Sequence, residues 1–185
     1  VSYPLPSLTG AANNYVNTGS NPGRADGSNM RLDHNFRERS RLTGRYTYRR
    51  SRAQALQDFP GPAGAGSVTA SMITDTVHHV VSGDYVYVLR PSVVNNFHFG
   101  FYRMLTGGKP PGADEDWAAK LGLRNLGPYT FPKVTITGLA AFGGGSYTIR
   151  PQANNFQFSD SLTWIRGRHA LKTGIEYRTL RYGNF

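Results

Sequence analysis

Among the 185 residues, the side chains able to do chemistry are few and poorly grouped. The nearest approach to a metal site is His78-His79. Neighbouring residues of a strand point to opposite faces, so this pair cannot close on one ion from regular β structure. His34, His98 and His169 stand alone in the sequence, and His169 falls in a turn beside Arg166 and Arg168. Asp114, Glu115 and Asp116 offer paired carboxylates of the kind that glycoside hydrolysis uses. They equally suit the first turn of a short helix over Asp114–Gly122, where acids complement the macrodipole and Gly122 ends the run. Without cysteine there is no thiolate zinc ligand, no disulfide framework and no cysteine nucleophile. No serine nucleophile elbow, P-loop or dinucleotide fingerprint occurs. These residues predict no enzyme, no cofactor and no bound metal.

Charge suggests a different chemistry. There are 21 Lys and Arg against 11 Asp and Glu, a net charge of +10. Arg45-Tyr-Thr-Tyr-Arg-Arg50 interleaves arginine with aromatic rings, as sites for single-stranded nucleic acid do. On a strand, however, Arg45 and Arg49 point one way while Tyr46 and Tyr48 point the other, and a nucleic-acid platform needs them together. The 17 arginines are also spread over turns, loops and polar faces rather than along one stripe. No nucleic-acid partner is predicted.

The elements that must position these residues are strands. Residues alternate in polarity over six segments, and helical periodicity is nearly absent. The segments are Asn29–Phe36, Arg41–Arg49, Thr76–Leu89, Val93–Arg103, Asn155–Ile165 and Ala170–Arg178, each of roughly ten residues or fewer apart from the third. The first places Met30, Leu32, His34 and Phe36 opposite Arg31, Asp33 and Asn35; the fifth places Phe156, Phe158, Leu162 and Trp164 opposite Gln157, Ser159, Ser161 and Thr163. Only 40 residues are Leu, Ile, Val or Phe, yet 12% are aromatic, more than a disordered chain carries. No run of 18 apolar residues provides a transmembrane helix.

Connections alternate strictly between short and long. Arg37-Glu-Arg-Ser40, Arg90-Pro-Ser92 and Arg166-Gly-Arg-His169 are tight, whereas residues 50–75 and 104–154 are long. In an up-and-down meander all short turns then lie on one edge and all long loops on the other. Long structureless loops are unusual in compact soluble domains. Tight turns at one end, long loops at the other and strands of about ten alternating residues describe an outer-membrane barrel. Within the loops, Pro60-Gly-Pro-Ala-Gly-Ala-Gly66 reads as too flexible to pack. Lys133-Val-Thr-Ile-Thr137 reads as a small strand, followed by a hinge at Gly143-Gly-Gly145.

The two faces differ in kind. Tyr46, Tyr48, Tyr85, Tyr87, Phe99, Phe101, Trp164 and Tyr177 form an aromatic face and sit toward strand ends, as rings at lipid headgroups do. Arg41, Arg45, Arg49, Asp84, His98, Lys172, Glu176 and Arg178 lie on the other face and are the candidates to line a polar lumen. A soluble sandwich would show the same alternation, with the rings as its core. The alternation of loop lengths favours the barrel.

Three stretches carry a family resemblance: Ala25-Asp-Gly-Ser-Asn-Met-Arg-Leu-Asp-His-Asn-Phe36 followed by Arg41-Leu-Thr-Gly-Arg-Tyr-Thr-Tyr-Arg-Arg50; Leu89-Arg-Pro-Ser-Val-Val-Asn-Asn-Phe-His-Phe-Gly100; and Phe158-Ser-Asp-Ser-Leu-Thr-Trp-Ile-Arg-Gly-Arg-His-Ala-Leu-Lys-Thr-Gly-Ile-Glu-Tyr-Arg178. Together they resemble the barrel of TonB-dependent outer-membrane receptors, closest to the Oar-like subgroup with a carboxypeptidase-regulatory-like domain. Thr173 stands where that family usually has a bulky aromatic. Nothing in the chain resembles the plug domain, the TonB-box or the regulatory-like domain.

The resemblance implies a location in the cell outer membrane, uptake of a bulky solute gated by a plug, and energy supplied through TonB. The expected fold is all-β, an antiparallel meander of about six strands that forms part of a larger transmembrane barrel. Residues 1–28 are expected to be a loop or lead-in and residues 29–185 the partial barrel. Such receptors have about 22 strands, and the smallest outer-membrane barrels about eight. The chain is therefore expected to be a fragment, consistent with a start, Val1-Ser-Tyr-Pro-Leu-Pro6, that lacks the features of a signal peptide. Its expected partners are outer-membrane lipid, the rest of the barrel with its plug, an unidentified solute, and TonB only through the full-length protein. The competing expectations are an adhesion or structural barrel without transport, and a soluble basic sandwich that binds nucleic acid.

Overall fold

A computed structural model describes residues 5–64, 73–110, 112–126, 131–144 and 150–184. The period-two segments become six strands: β1 (Gly23–Arg37), β2 (Ser40–Gln54), β3 (Ile73–Arg90), β4 (Val93–Lys109), β5 (Pro151–Arg166) and β6 (His169–Asn184). They form one antiparallel up-and-down sheet in the order β1-β2-β3-β4-β5-β6, each strand beside its neighbours in sequence. All the described strands join this sheet, so among the described residues no second sheet packs across it and the sandwich alternative falls.

The strands run 15 to 18 residues, longer than expected. β1 begins at Gly23, inside the stretch 1–28 expected to be loop, and both long connections are shorter than 50–75 and 104–154. Ser51-Arg-Ala-Gln54 shows no apolar alternation, so its strand character was invisible in sequence. Neighbouring segments carry it instead: the Gln54 amide donates to the Pro22 carbonyl at 3.0 Å, and side chains add to this, with Thr74 Oγ1 donating to the Ala53 carbonyl at 3.3 Å and Arg52 Nε meeting Asp75 Oδ2 at 3.0 Å.

The tight turns follow from local chemistry. Arg166 pairs with His169, leaving Gly167 and Arg168 as a two-residue loop. Gly167 has φ +58° while Arg168 is not left-handed, the pattern of a turn with glycine at its first central position. The Ile165 amide donates to the Ser92 carbonyl and the Val88 amide to the Arg39 carbonyl, both at 2.8 Å, so neighbouring hairpins are tied near their turns.

The chain divides into two compact units. The sheet unit comprises Ala25–Arg50, Thr76–Leu105 and Pro151–Phe185. It has almost no core of its own: Ala153 is the only buried hydrophobic residue among those described in it. The other unit comprises Val1–Arg24, Ser51–Asp75 and Thr106–Arg150. Here Phe59, Ala63, Ala118 and Phe131 are buried, and Phe131 contacts the rings of Trp117 and Phe142.

Three loop expectations change. Residues 60–64 do pack: Pro62–Gly64 form a 3-10 turn, Ala63 is buried and its carbonyl accepts from the Gly143 amide at 2.6 Å, while residues 65 and 66 lie outside the described residues. The strand expected at 133–137 is a single bridge between Val134 and Phe142, because no further rung extends it. At the expected hinge, Gly143 and Gly144 have positive φ, a backbone state that glycine adopts freely, and Gly145 lies outside the described residues. The helix over 114–122 shrinks to α1 (Trp117–Lys120). Only Asp116 serves its N-terminus, accepting from the Ala119 amide, whereas Asp114 binds Lys109 and Glu115 binds Lys120.

Candidate functional site

Cross-strand contacts assign every strand of the sheet unit to two chemically opposed faces. On the ring face, Tyr46 and Tyr48 of β2 meet His79 of β3, with the Tyr46 hydroxyl 2.8 Å from His79 Nδ1. Tyr85 stacks on Tyr87. Phe99 and Phe101 of β4 pair with Phe158 and Phe156 of β5, ring centroids 5.2 and 4.7 Å apart. The β5–β6 register extends this face through Phe158 to Tyr177 and through Trp164 to Leu171. All eight aromatic candidates therefore share one side. β1 adds Met30, Leu32 and Phe36, which with Ile175 and Tyr177 are more than half exposed.

The polar face holds the other eight candidates. His98 Nδ1 lies 2.7 Å from Asp84 Oδ1, and His78 Nδ1 lies 2.9 Å from the Tyr102 hydroxyl, which places even-numbered residues of β3 and β4 together. Through Ser159, opposite both His98 and Glu176, the same face reaches β6 and carries Lys172, Glu176 and Arg178. Arg178 Nε contacts Glu176 Oε1 at 2.5 Å. On β2, Arg41, Arg45 and Arg49 alternate with the tyrosines. Arg41 reaches Asp33 of β1 at 3.0 Å; Arg45 and Arg49 are not drawn into that contact.

Asp33 is the hub that sequence reasoning missed. Its carboxylate accepts from Arg31 Nε at 2.5 Å, Arg41 at 3.0 Å and Thr43 Oγ1 at 2.7 Å. The signal was available: with the short turn at 38–39, alternation alone puts Asp33 and Thr43 on one side of the β1–β2 hairpin. The arginines of this face are thus partly neutralised locally rather than forming a uniform positive field. His78 and His79 behave as the strand geometry requires, with Tyr102 and Tyr46 as partners on opposite sides.

Two features depart from the expected division. The aromatics were expected near strand ends. Trp164, Tyr85 and Tyr87 do stand near the short turns, but Tyr46, Tyr48, Phe99, Phe101 and Tyr177 are mid-strand, because each strand continues past them. The ring face also carries a carboxylate among its rings: Phe97 lies opposite Asp160, and Asn95 Nδ2 donates to Asp160 Oδ1 at 2.6 Å. The amide occupies one carboxylate oxygen, which lowers the cost of placing it among apolar neighbours.

One face of large apolar side chains and one of charges and hydroxyls, on a sheet without a core, can separate a nonpolar medium from a polar one. No helix among the described residues is long and apolar enough to cross a membrane. Comparison with protein families matches residues 1–185 to the model described as outer membrane beta barrel domain. No curated protein and no solved structure matches the chain.

Proposed function

Because the chain belongs to the outer membrane beta barrel domain family and so to the cell outer membrane, we propose that its ring face meets lipid, its polar face lines a lumen, and the sheet is one sector of a larger barrel wall. The carrying observation is the exposure of the ring face: Ile175 is 75% and Leu32 71% exposed with no layer of their own unit over them. Soluble monomers rarely expose contiguous apolar patches of this kind. Closure supports the larger wall. A strand edge in lipid leaves backbone donors and acceptors unsatisfied, and outer-membrane barrels close with about eight strands or more. Among the described residues, six strands in linear order leave β1 and β6 each with one unpaired edge, which further strands would satisfy.

Within that wall the role we favour is a TonB-dependent receptor that admits a bulky solute through a plugged lumen. Support comes from the hairpin resemblance and from a polar face rich in arginine, able to hydrogen-bond carboxylates of a plug or an anionic solute. The wall itself performs no catalysis in this reading. A plug domain encoded in the same reading frame supports it; a frame without one leaves the adhesion or structural barrel.

Accessibility tests the two faces directly. The chain has no cysteine, so each introduced thiol is the only one. Single substitutions at Ser159, Ser161 and Thr47 are expected to react with a water-soluble maleimide in isolated outer membranes. Substitutions at Phe99, Phe158 and Ile175 are expected to resist it. Equal labelling of both sets would remove the lipid assignment.

A further inference from the structure

The ring face ends on a rung of a different character. Arg103 of β4 lies opposite Asn154 of β5, and Asn154 lies opposite Arg181 of β6. The rung beside it is Phe101, Phe156 and Thr179, so all three polar residues occupy the ring side, immediately beyond the last aromatic pair. Both arginines are exposed, and among the described residues neither has a carboxylate partner. This contrasts with Arg41 and Arg178 on the polar face, each of which contacts an acid.

Position gives the rung its meaning. Asn154 is ten residues from Trp164 on β5, alternate residues between them facing the same side. At about 3.3 Å per residue and a tilt of about 40°, these ten residues rise about 25 Å along the membrane normal, the height of an outer-membrane apolar band. Trp164 then marks one margin and the Arg103–Asn154–Arg181 rung the other. The rung lies in the half of the sheet toward the strand ends from which the long connections leave, the outer side in barrels of this architecture. Arg103 and Arg181 are two strands apart, about 9.6 Å between backbones, so two guanidiniums and the Asn154 amide can converge on one phosphate or hold two adjacent ones.

We infer that Arg103, Asn154 and Arg181 form a binding site for the phosphate groups of outer-leaflet lipid headgroups. The site rests on the lipid assignment of the ring face. Arginine suits it because its planar fork donates two parallel hydrogen bonds to phosphate, where lysine offers only a point charge. The neighbouring Phe101 and Phe156 rings would lie beside the upper acyl segment of the same lipid.

The test uses the full-length protein in phosphatidylcholine vesicles containing diphosphorylated lipid A, with the amount of lipid A retained on extraction as readout. A double Arg103→Gln, Arg181→Gln variant should weaken retention about thirtyfold, from about fivefold for each basic residue at a lipid surface. Arg103→Lys with Arg181→Lys should fall between wild type and that variant, which also reports that the sheet still forms. Dephosphorylated lipid A should show no difference between the proteins. Unchanged retention by the Gln variant would overturn the site, as would an equal loss with dephosphorylated lipid. Displacement of lipid A by millimolar inorganic phosphate would assign the site to free anion instead. Thiol labelling at Phe99 in the same vesicles separates the two failures: protection there with unchanged retention sinks the headgroup site alone, and full labelling sinks the lipid assignment beneath it.

Discussion

Replacing Tyr177 by arginine separates lipid from water as the medium over the ring face. Tyr177 is 63% exposed and lies opposite Phe158, six residues along β5 from Trp164. With about 3.3 Å per residue and a tilt of about 40°, this rung is about 15 Å from Trp164, near the middle of an apolar band about 25 Å tall. In water, an exposed site of this kind tolerates substitution within about 0.5 kcal/mol. In lipid, arginine near the midplane costs about 2–4 kcal/mol, roughly thirty- to several-hundred-fold in the folding equilibrium. Asp160 stands on the same face one rung nearer the turns and would offer the new guanidinium a partner, so the substitution is also made in an Asp160→Asn background. The assay is the denaturant midpoint of the protein in phospholipid bilayers. Tyr177→Leu controls for lost ring contacts, and Ser159→Arg, on the polar face between His98 and Glu176, should cost almost nothing. A Tyr177→Arg cost below about 1 kcal/mol in both backgrounds, inside the range of ordinary surface changes, would refute the reasoning.

Other outcomes follow from particular contacts. A Cβ at Gly174 would sit 2.5 Å from the Asp160 carbonyl oxygen and 3.0 Å from Ser161 Cβ. Gly174→Val should therefore push β5 and β6 apart, cost about 1–3 kcal/mol and speed amide exchange in that pair; unchanged exchange contradicts it. Thr173 lines a shallow apolar hollow with Val93, Leu162, Trp164 and Leu171. Thr173→Phe should fill it and stabilise by about 0.5–1.5 kcal/mol through ring contact with Trp164, seen as a higher midpoint, whereas a lower one means the hollow cannot accept a ring. Asp33→Ala removes the acceptor shared by Arg31, Arg41 and Thr43. With the arginine side chains about half exposed, the loss should be small and shrink in high salt; a salt-independent loss would point to a dehydrated lumen.

The faces were legible because alternation is local. Tyr46 and Arg45 point apart whatever their strand pairs with, so alternation alone separates the two sets of eight residues within each strand. Element ends were less legible. Gly23–Gly27 and Ser51–Gln54 carry no apolar rhythm, and their strand state comes from hydrogen bonds to a neighbour that the local sequence does not name. The acids of 114–116 misled for a related reason: a helix N-terminus accepts one capping carboxylate, and two lysines compete for the others.

Period, turn chemistry and loop alternation, all short-range, determined that this chain builds an up-and-down sheet with one aromatic and one charged face. Register belongs to the tertiary structure, because it depends on pairing between residues far apart in sequence. Only cross-strand contacts showed that Asp33 joins Arg41 and Thr43 of the next strand to its own neighbour Arg31 and that Asn95 shields Asp160 within the ring face, and only register that Arg103, Asn154 and Arg181 share one rung. Each of those groupings is a sum over strands, and alternation within one strand contains no information about the level at which its neighbour stands.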